Sequence, residues 1–134
     1  MIDIENEVFT AIATTLRAEY SPIGVYGEWV PSPAIFPAVM VEELDNYALE
    51  RTQDSGSLEN HASLMYEINV FSNLTTGKKG QAKSIFKDID AVMAGLGFTR
   101  TVKTAIPNLE NATIYRMVGR YKAVVSKDKT IFRR

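Results

Sequence analysis

Ile4, Val8, Ile12 and Leu16 recur every four residues, with Phe9, Ala11 and Ala13 beside them, the spacing of one face of an amphipathic helix. Asp3, Glu5 and Glu7 fall in its first turn, where the helix dipole favours negative charge, so the pattern predicts a helix over residues 3–20. Ser21-Pro22 and Gly24 break it. Pro31, Pro33 and Pro37 then predict an irregular or extended lead until Ala38-Val39-Met40-Val41 begins a strand. Residues 51–60 have no periodicity and little apolar content, which predicts a long exposed hairpin loop. Leu64, Tyr66, Ile68 and Val70 alternate with Met65, Glu67, Asn69 and Phe71, the period of two of a strand with one face on a core.

The second half repeats the alternation of helix and strand. Ala82, Ile85, Phe86, Ile89, Val92, Met93 and Leu96 form an apolar stripe with Lys83, Lys87, Asp88 and Asp90 off it, and Gly95-Leu96-Gly97 closes that helix with a glycine cap. Residues 98–105 read as a strand before the Pro107-Asn108 turn. The last strand is expected to begin near Ala112, with Tyr115, Met117, Gly119, Tyr121, Ala123 and Val125 on the core side and Arg116, Val118, Arg120 and Lys122 on the other. The order helix, strand, strand, helix, strand, strand predicts a two-layer α+β domain: a mainly antiparallel sheet of four or more strands, with both helices packed on one face. The domain is expected to span residues 1–125, and residues 126–134 to form a basic, mobile tail.

Composition narrows the class without naming an activity. At 134 residues the chain is long enough for one domain that buries roughly two thirds of its unfolded surface. Its 46% hydrophobic and 23% charged residues fit a soluble globular protein, and no apolar run approaches the roughly 20 residues of a membrane helix. The acidic start, Met1-Ile2-Asp3-Ile4-Glu5-Asn6-Glu7, shows no secretory leader, so a cytoplasmic site of synthesis and assembly is expected. The absence of cysteine excludes disulfides, zinc-thiolate sites and a thiol nucleophile. Charge changes the picture more. Residues 1–67 hold 12 acidic and 2 basic side chains, whereas residues 68–134 hold 4 acidic and 13 basic, so a net charge of −1 conceals an acidic first half and a basic second half. That polarity suits internal pairing, a basic face for nucleic acid, or head-to-tail stacking of copies.

Candidate chemistry is sparse. Gly77-Lys78-Lys79-Gly80-Gln81-Ala82-Lys83-Ser84 approximates a phosphate-binding P-loop, but Ala82 replaces a required glycine and the preceding strand alternates instead of being buried on both faces. A lysine-rich lead into a helix is the simpler reading. Glu42, Glu43 and Asp45 cluster after an apolar strand, yet adjacent strand residues point to opposite faces, which disfavours shared metal or acid–base chemistry. His61 is the sole histidine and has no second histidine or cysteine to join it on a metal, and no nucleophile-elbow serine occurs. Asn111-Ala112-Thr113 fits a turn better than a glycosylation site in a chain without a leader. Arg116, Arg120 and Lys122, with Lys127, Lys129, Arg133 and Arg134, form a basic stripe able to meet phosphate backbone, but Tyr115 and Tyr121 fall on the core side and leave it without stacking aromatics. Glu67 on a neighbouring strand is placed to neutralise part of it. Trp29, between Gly27-Glu28 and Pro31, is expected to plug a core edge or to anchor a partner. No enzymatic site and no cofactor are expected.

The N-terminal helix, Phe36-Pro37-Ala38-Val39-Met40-Val41, the polar hairpin loop, and Tyr66-Glu67-Ile68-Asn69-Val70-Phe71-Ser72-Asn73 followed by Lys79-Gly80-Gln81-Ala82 carry a resemblance. The helix ending in Leu96-Gly97-Phe98 and the strand Tyr115-Arg116-Met117-Val118-Gly119-Arg120-Tyr121 complete it. Taken together the chain resembles the tail terminator, or tail completion, proteins of long-tailed bacteriophages and the small head–tail connector proteins of prophages. The resemblance implies a non-enzymatic virion subunit. It would form a ring, commonly a hexamer, at the head-proximal end of the tail tube, with itself, the tail tube protein and connector proteins as partners and DNA contact only incidental. Rings need heterologous contacts, for which an acidic side and a basic side are complementary. The candidate subunit-interface residues are therefore Glu42, Glu43, Asp45 and Glu50 against a neighbour's Arg116, Arg120 and Lys122. The candidate partner-contact loop is Thr52, Gln53, Asp54, Ser55, Gly56, Ser57, Leu58, Glu59 and Asn60.

Overall fold

Helix α1 (Glu5–Glu19) buries Val8, Ile12, Ala13 and Leu16, the stripe its spacing predicts, in a computed structural model that describes residues 1–48, 61–107, 113–129 and 131–132. Burial of Val8, Ile12 and Leu16 contributes about 1.5–3 kcal/mol each relative to exposure. Helix α2 (Lys78–Leu96) buries Ala82, Ile85, Phe86, Ile89 and Met93. It ends where Gly97 takes φ 102°, with Gly97 N–H donating to the Ala94 carbonyl at 3.0 Å and Phe98 N–H to the Met93 carbonyl at 2.9 Å. That left-handed turn favours glycine and satisfies the last free carbonyls of the helix. Tyr20 ties the helices together, donating to Asp88 Oδ2 at 2.6 Å and sharing a hydrogen bond with Ser84 Oγ at 2.9 Å. Burial, then the Asp88 carboxylate, raises the Tyr20 pKa.

The helices cover one face of a sheet built from β1 (Gly24–Tyr26), β2 (Ala38–Ala48), β3 (His61–Ser72), β4 (Thr99–Ile106), β5 (Tyr115–Ser126) and β6 (Ile131–Phe132). The strand order is β1-β2-β3-β5-β4, and β6 pairs with β5 at Val124 and Val125. Among the described residues only β1 and β2 are parallel. The α+β architecture with a mainly antiparallel sheet is the one the sequence pattern predicts. Val39, Val41, Leu64, Tyr66, Ile68, Val70, Met117, Tyr121, Ala123 and Val125 meet the helices in the main core. Gly119 belongs to the same face because Phe86 lies against its bare Cα: a Cβ there would sit 2.3 Å from Phe86 Cζ.

Two short strands were not expected. Gly24–Tyr26, in a segment read as irregular, pairs in parallel with Ala38–Met40 and forms β1. Within the stretch expected as a tail, Ile131–Phe132 forms β6, Ile131 packs against the main core, and Lys129 Nζ lies 3.0 Å from Glu7 Oε1. The far face of the sheet also differs from a plain solvated surface. Ala38, Met40 and Phe71 make a second apolar cluster there, joined by Tyr26, Val30, Phe36 and Ile114. The proline-containing segment between β1 and β2 accounts for it, since prolines that cannot continue a ladder run the chain over the sheet instead of beside it.

Candidate assembly surface

The sheet face away from the helices carries Glu42, Asp45, Arg116, Arg120 and Lys122 among the charged residues singled out in the sequence. Register aligns Glu42 of β2, Glu67 of β3, Arg120 of β5 and Val102 of β4 in one row across four strands. Arg120 Nε donates to Glu67 Oε2 at 3.0 Å, so the anticipated neutralisation by Glu67 takes place within the chain. Asn69, fully buried beside this pair, donates through Nδ2 to Glu67 Oε1 at 3.3 Å and accepts at Oδ1 from Arg116 Nε at 2.9 Å. Arg116, Asn69, Glu67 and Arg120 thus form one continuous hydrogen-bonded chain along the face. A buried amide with both ends used is what such a network requires, since leaving either end unmade costs about 1–3 kcal/mol.

Arg116 does more than bond Asn69. Its guanidinium carbon stands 5.2 Å from the Trp29 ring centroid and 5.6 Å from that of Phe71, and those two rings meet edge to face at 5.9 Å. Beside them opens a recess of about 290 Å³, bounded by Pro31, Pro33, Phe36, Met40 and Ile114 as well as by Trp29, Phe71 and Arg116. Trp29 is half exposed at its rim. Sequence reasoning placed Trp29 at a core edge and Arg116 on a charged stripe. It missed their meeting, although Met40 and Phe71 sit at alternating positions that put both on the face opposite the main core.

Glu43 stands on the helix side of β2, as alternation from Glu42 requires. Its Oε1 accepts from Tyr66 Oη at 3.3 Å and from Asn46 Nδ2 at 3.5 Å, and Asn46 Nδ2 also donates to the Ile2 carbonyl at 2.7 Å. Burial first, then the charges of Glu5 and Asp3, raises the Glu43 pKa, outweighing the two hydrogen bonds that lower it. An acidic corner is thereby built from the start of α1 and the middle of β2. At the other end of the sheet, Asp90 Oδ1 accepts from Tyr121 Oη at 2.9 Å and from Arg100 Nη1 at 3.0 Å. Burial and the Asp90 carboxylate push the Tyr121 hydroxyl far above the ordinary tyrosine range, and burial with Glu43 does the same to Tyr66.

Of the candidate interface residues, Glu42 and Asp45 lie on the far face, Glu43 on the helix face, and Arg116, Arg120 and Lys122 on the far face of β5, two strands across from β2. Arg116 and Arg120 are held by partners in the same chain. Among the described residues, Lys122 has no ion pair of its own. Glu50 and the loop Thr52–Asn60 lie outside the described residues. Gly77 and the lysines after it lead straight into α2 from β3, which is antiparallel to both its neighbours, not the parallel strand that precedes a P-loop. Among the described residues no three His, Asp or Glu side chains gather as a metal site, and no helix is long and apolar enough to cross a membrane.

No protein-family model matches the chain, and no curated protein matches it in sequence. Among solved structures it is similar in fold to a chain from the virion of a native gene transfer agent particle. The TM-score is 0.57 at 17% identity, over 87% of this chain and 92% of that one. At such identity the likeness is one of fold.

Proposed function

We propose that this chain is a structural subunit of a phage-like virion, forming a ring at the head-proximal end of the tail tube that terminates the tail and joins it to the head. The observation that carries this reading is the shared fold, over nearly the full length of both chains, with a component of a gene transfer agent virion. The layout of the surface supports it: an acidic end and a basic end on opposite sides of one sheet, as heterologous contacts between copies require. In this reading the chain is not an enzyme, needs no cofactor, and works through contacts with itself, the tail tube protein and connector proteins. Its place is the virion tail or neck, after assembly in the bacterial host cytoplasm.

Sedimentation at rising protein concentration and at several salt concentrations tests the reading, with electron microscopy of the heavy fraction. Annular oligomers that survive moderate salt are expected, because an interface with an apolar centre is screened less than phosphate contacts. A monomer at every concentration that instead binds DNA, with affinity falling steeply as salt rises, would overturn it. The tethering of Arg116 and Arg120 by Asn69 and Glu67 already leaves fewer cations for a DNA backbone than the sequence suggested.

A further inference from the structure

Among the described residues both lateral edges of the sheet are open, and they are opposite in charge. Strand β2 has eleven residues, of which β1 pairs with three, Ala38–Met40, leaving eight (residues 41–48) with no strand on their outer side among the described residues. Strand β4, also eight residues long, ends the sheet on the other side and is exposed along almost its whole length. Open edges of this length are usually blunted or covered, because each presents a row of unpaired backbone donors and acceptors. The β2 edge carries Glu42, Glu43 and Asp45 and no base, with Asp3 and Glu5 close enough to Glu43 to disturb its ionisation. The β4 edge carries no acid; of its two bases Arg100 is paired with Asp90 of α2, and Lys103 has no ion pair among the described residues. Each edge also exposes large apolar side chains, Leu44 and Tyr47 on β2 and Val102 on β4.

Strand direction completes the match. Three successive antiparallel pairings, β2 with β3, β3 with β5 and β5 with β4, leave β4 running opposite to β2. A neighbouring copy related by rotation about an axis along the strands keeps every direction, so its β2 would lie antiparallel to this β4. Two-fold pairing of β4 with β4 or of β2 with β2 would set like charges together. Resting on the ring reading above, we propose that copies of this chain join edge to edge. In that junction β4 (Thr99–Ile106) of one subunit pairs antiparallel with residues 41–48 of the next, so that one sheet continues from subunit to subunit.

Cysteine pairs test the junction directly, since the chain has no cysteine of its own. Within one subunit β2 and β4 are three strand spacings apart, about 14 Å, too far for a disulfide, which needs Cα atoms within roughly 7 Å. Four doubly substituted full chains combine Asp45→Cys or Tyr47→Cys with Val102→Cys or Thr104→Cys, all at exposed positions on the far face. After assembly and mild oxidation, at least one should give a ladder of cross-linked multimers beyond the dimer that collapses on reduction, and no single-cysteine chain should cross-link. Lys103→Glu, with the fold checked by circular dichroism, should raise the concentration for half-assembly by about tenfold or more, as like charges then meet. Rings that form without a ladder in any of the four chains would overturn the edge pairing and leave the ring reading standing. Dimers from single-cysteine chains would overturn it in favour of two-fold contacts. Absence of any oligomer would overturn the ring reading and the edge pairing with it.

Discussion

Substituting Gly119 by alanine isolates the contact that seats α2 on the sheet. The added Cβ would stand 2.3 Å from Phe86 Cζ and 2.5 Å from Cε2, whereas non-bonded carbons settle at about 3.5–4.0 Å. The ring must therefore retreat by more than an ångström. It has little room: Phe86 is 2% exposed, is stacked on Tyr121 at 6.4 Å, and carries Lys103 Nζ 5.7 Å from its centroid. Strand β5 cannot give way either, since β3 and β4 hold it on both sides. Overpacking of this kind costs about 1–3 kcal/mol, and the rigid surroundings favour the upper part of that range. For a domain of this size the melting temperature should fall by roughly 6–10 °C. The check is urea denaturation of Gly119→Ala in the parent and in a Phe86→Leu background. With the ring gone, alanine should be neutral or stabilising by about 0.5–1 kcal/mol, because glycine inside a strand is the poorer residue. A Gly119→Ala chain as stable as the parent, or an equal loss in both backgrounds, would refute the argument from Phe86.

Arg120→Glu should destabilise the monomer by a few tenths to about 1 kcal/mol, because it opposes Glu67 with a second carboxylate; the swap Glu67→Arg with Arg120→Glu should recover the loss in urea midpoints, and no recovery would mean that the pair is not coupled. Arg116→Ala should cost about 1–3 kcal/mol by leaving the buried Asn69 Oδ1 unmatched, and should shift the emission of Trp29, the sole tryptophan, towards the red as its ring loses the guanidinium cover. Glu43 has a folded-state pKa above its ordinary value, so the native state holds the proton more tightly than the unfolded chain, and this group's contribution to stability declines as pH rises from about 4.5 through the folded pKa. Glu43→Gln removes that decline while keeping an acceptor for Tyr66; its stability relative to the parent should improve between pH 4 and pH 7, and a constant difference would show that Glu43 does not titrate differently on folding.

The periodic segments were the legible part of this chain. Both helices declare themselves through four-residue spacing of Ile4, Val8, Ile12 and Leu16 and through the stripe from Ala82 to Leu96, and β3 and β5 through strict alternation. β1 and β6 were not legible, because strands of three and two residues carry no period and exist only through their neighbours' ladders. The partnership of Glu67 with Arg120 could be anticipated from charge alone. That of Arg116 with Trp29 could not, since their approach depends on the path of a proline-rich segment that local pattern does not specify. Glu43 shows the same limit: alternation places it on the face opposite Glu42, but its crowding by Asp3 and Glu5 follows from where α1 begins relative to β2.

The charge asymmetry of the two halves becomes a spatial asymmetry through topology. First-half strands β1 and β2 occupy one end of the sheet, second-half strands β5 and β4 the other, and β3, where the sign changes, lies between them. Among the described residues of the sheet, charges of the two halves meet at the β3–β5 seam, where they cancel in the Glu67–Arg120 pair; off the sheet, Lys129 pairs with Glu7 of α1. Charge away from that seam, on Glu42, Glu43 and Asp45 at one end and on Lys103 at the other, is too far across the strands to cancel internally. The residual polarity therefore points along the sheet, at right angles to the strands. Neighbours placed head to tail in that direction bring unlike ends together at every junction, whereas a two-fold pair brings like ends together. A strand order that put β2 beside β5 would have neutralised these groups inside the monomer and removed any preference between the two arrangements.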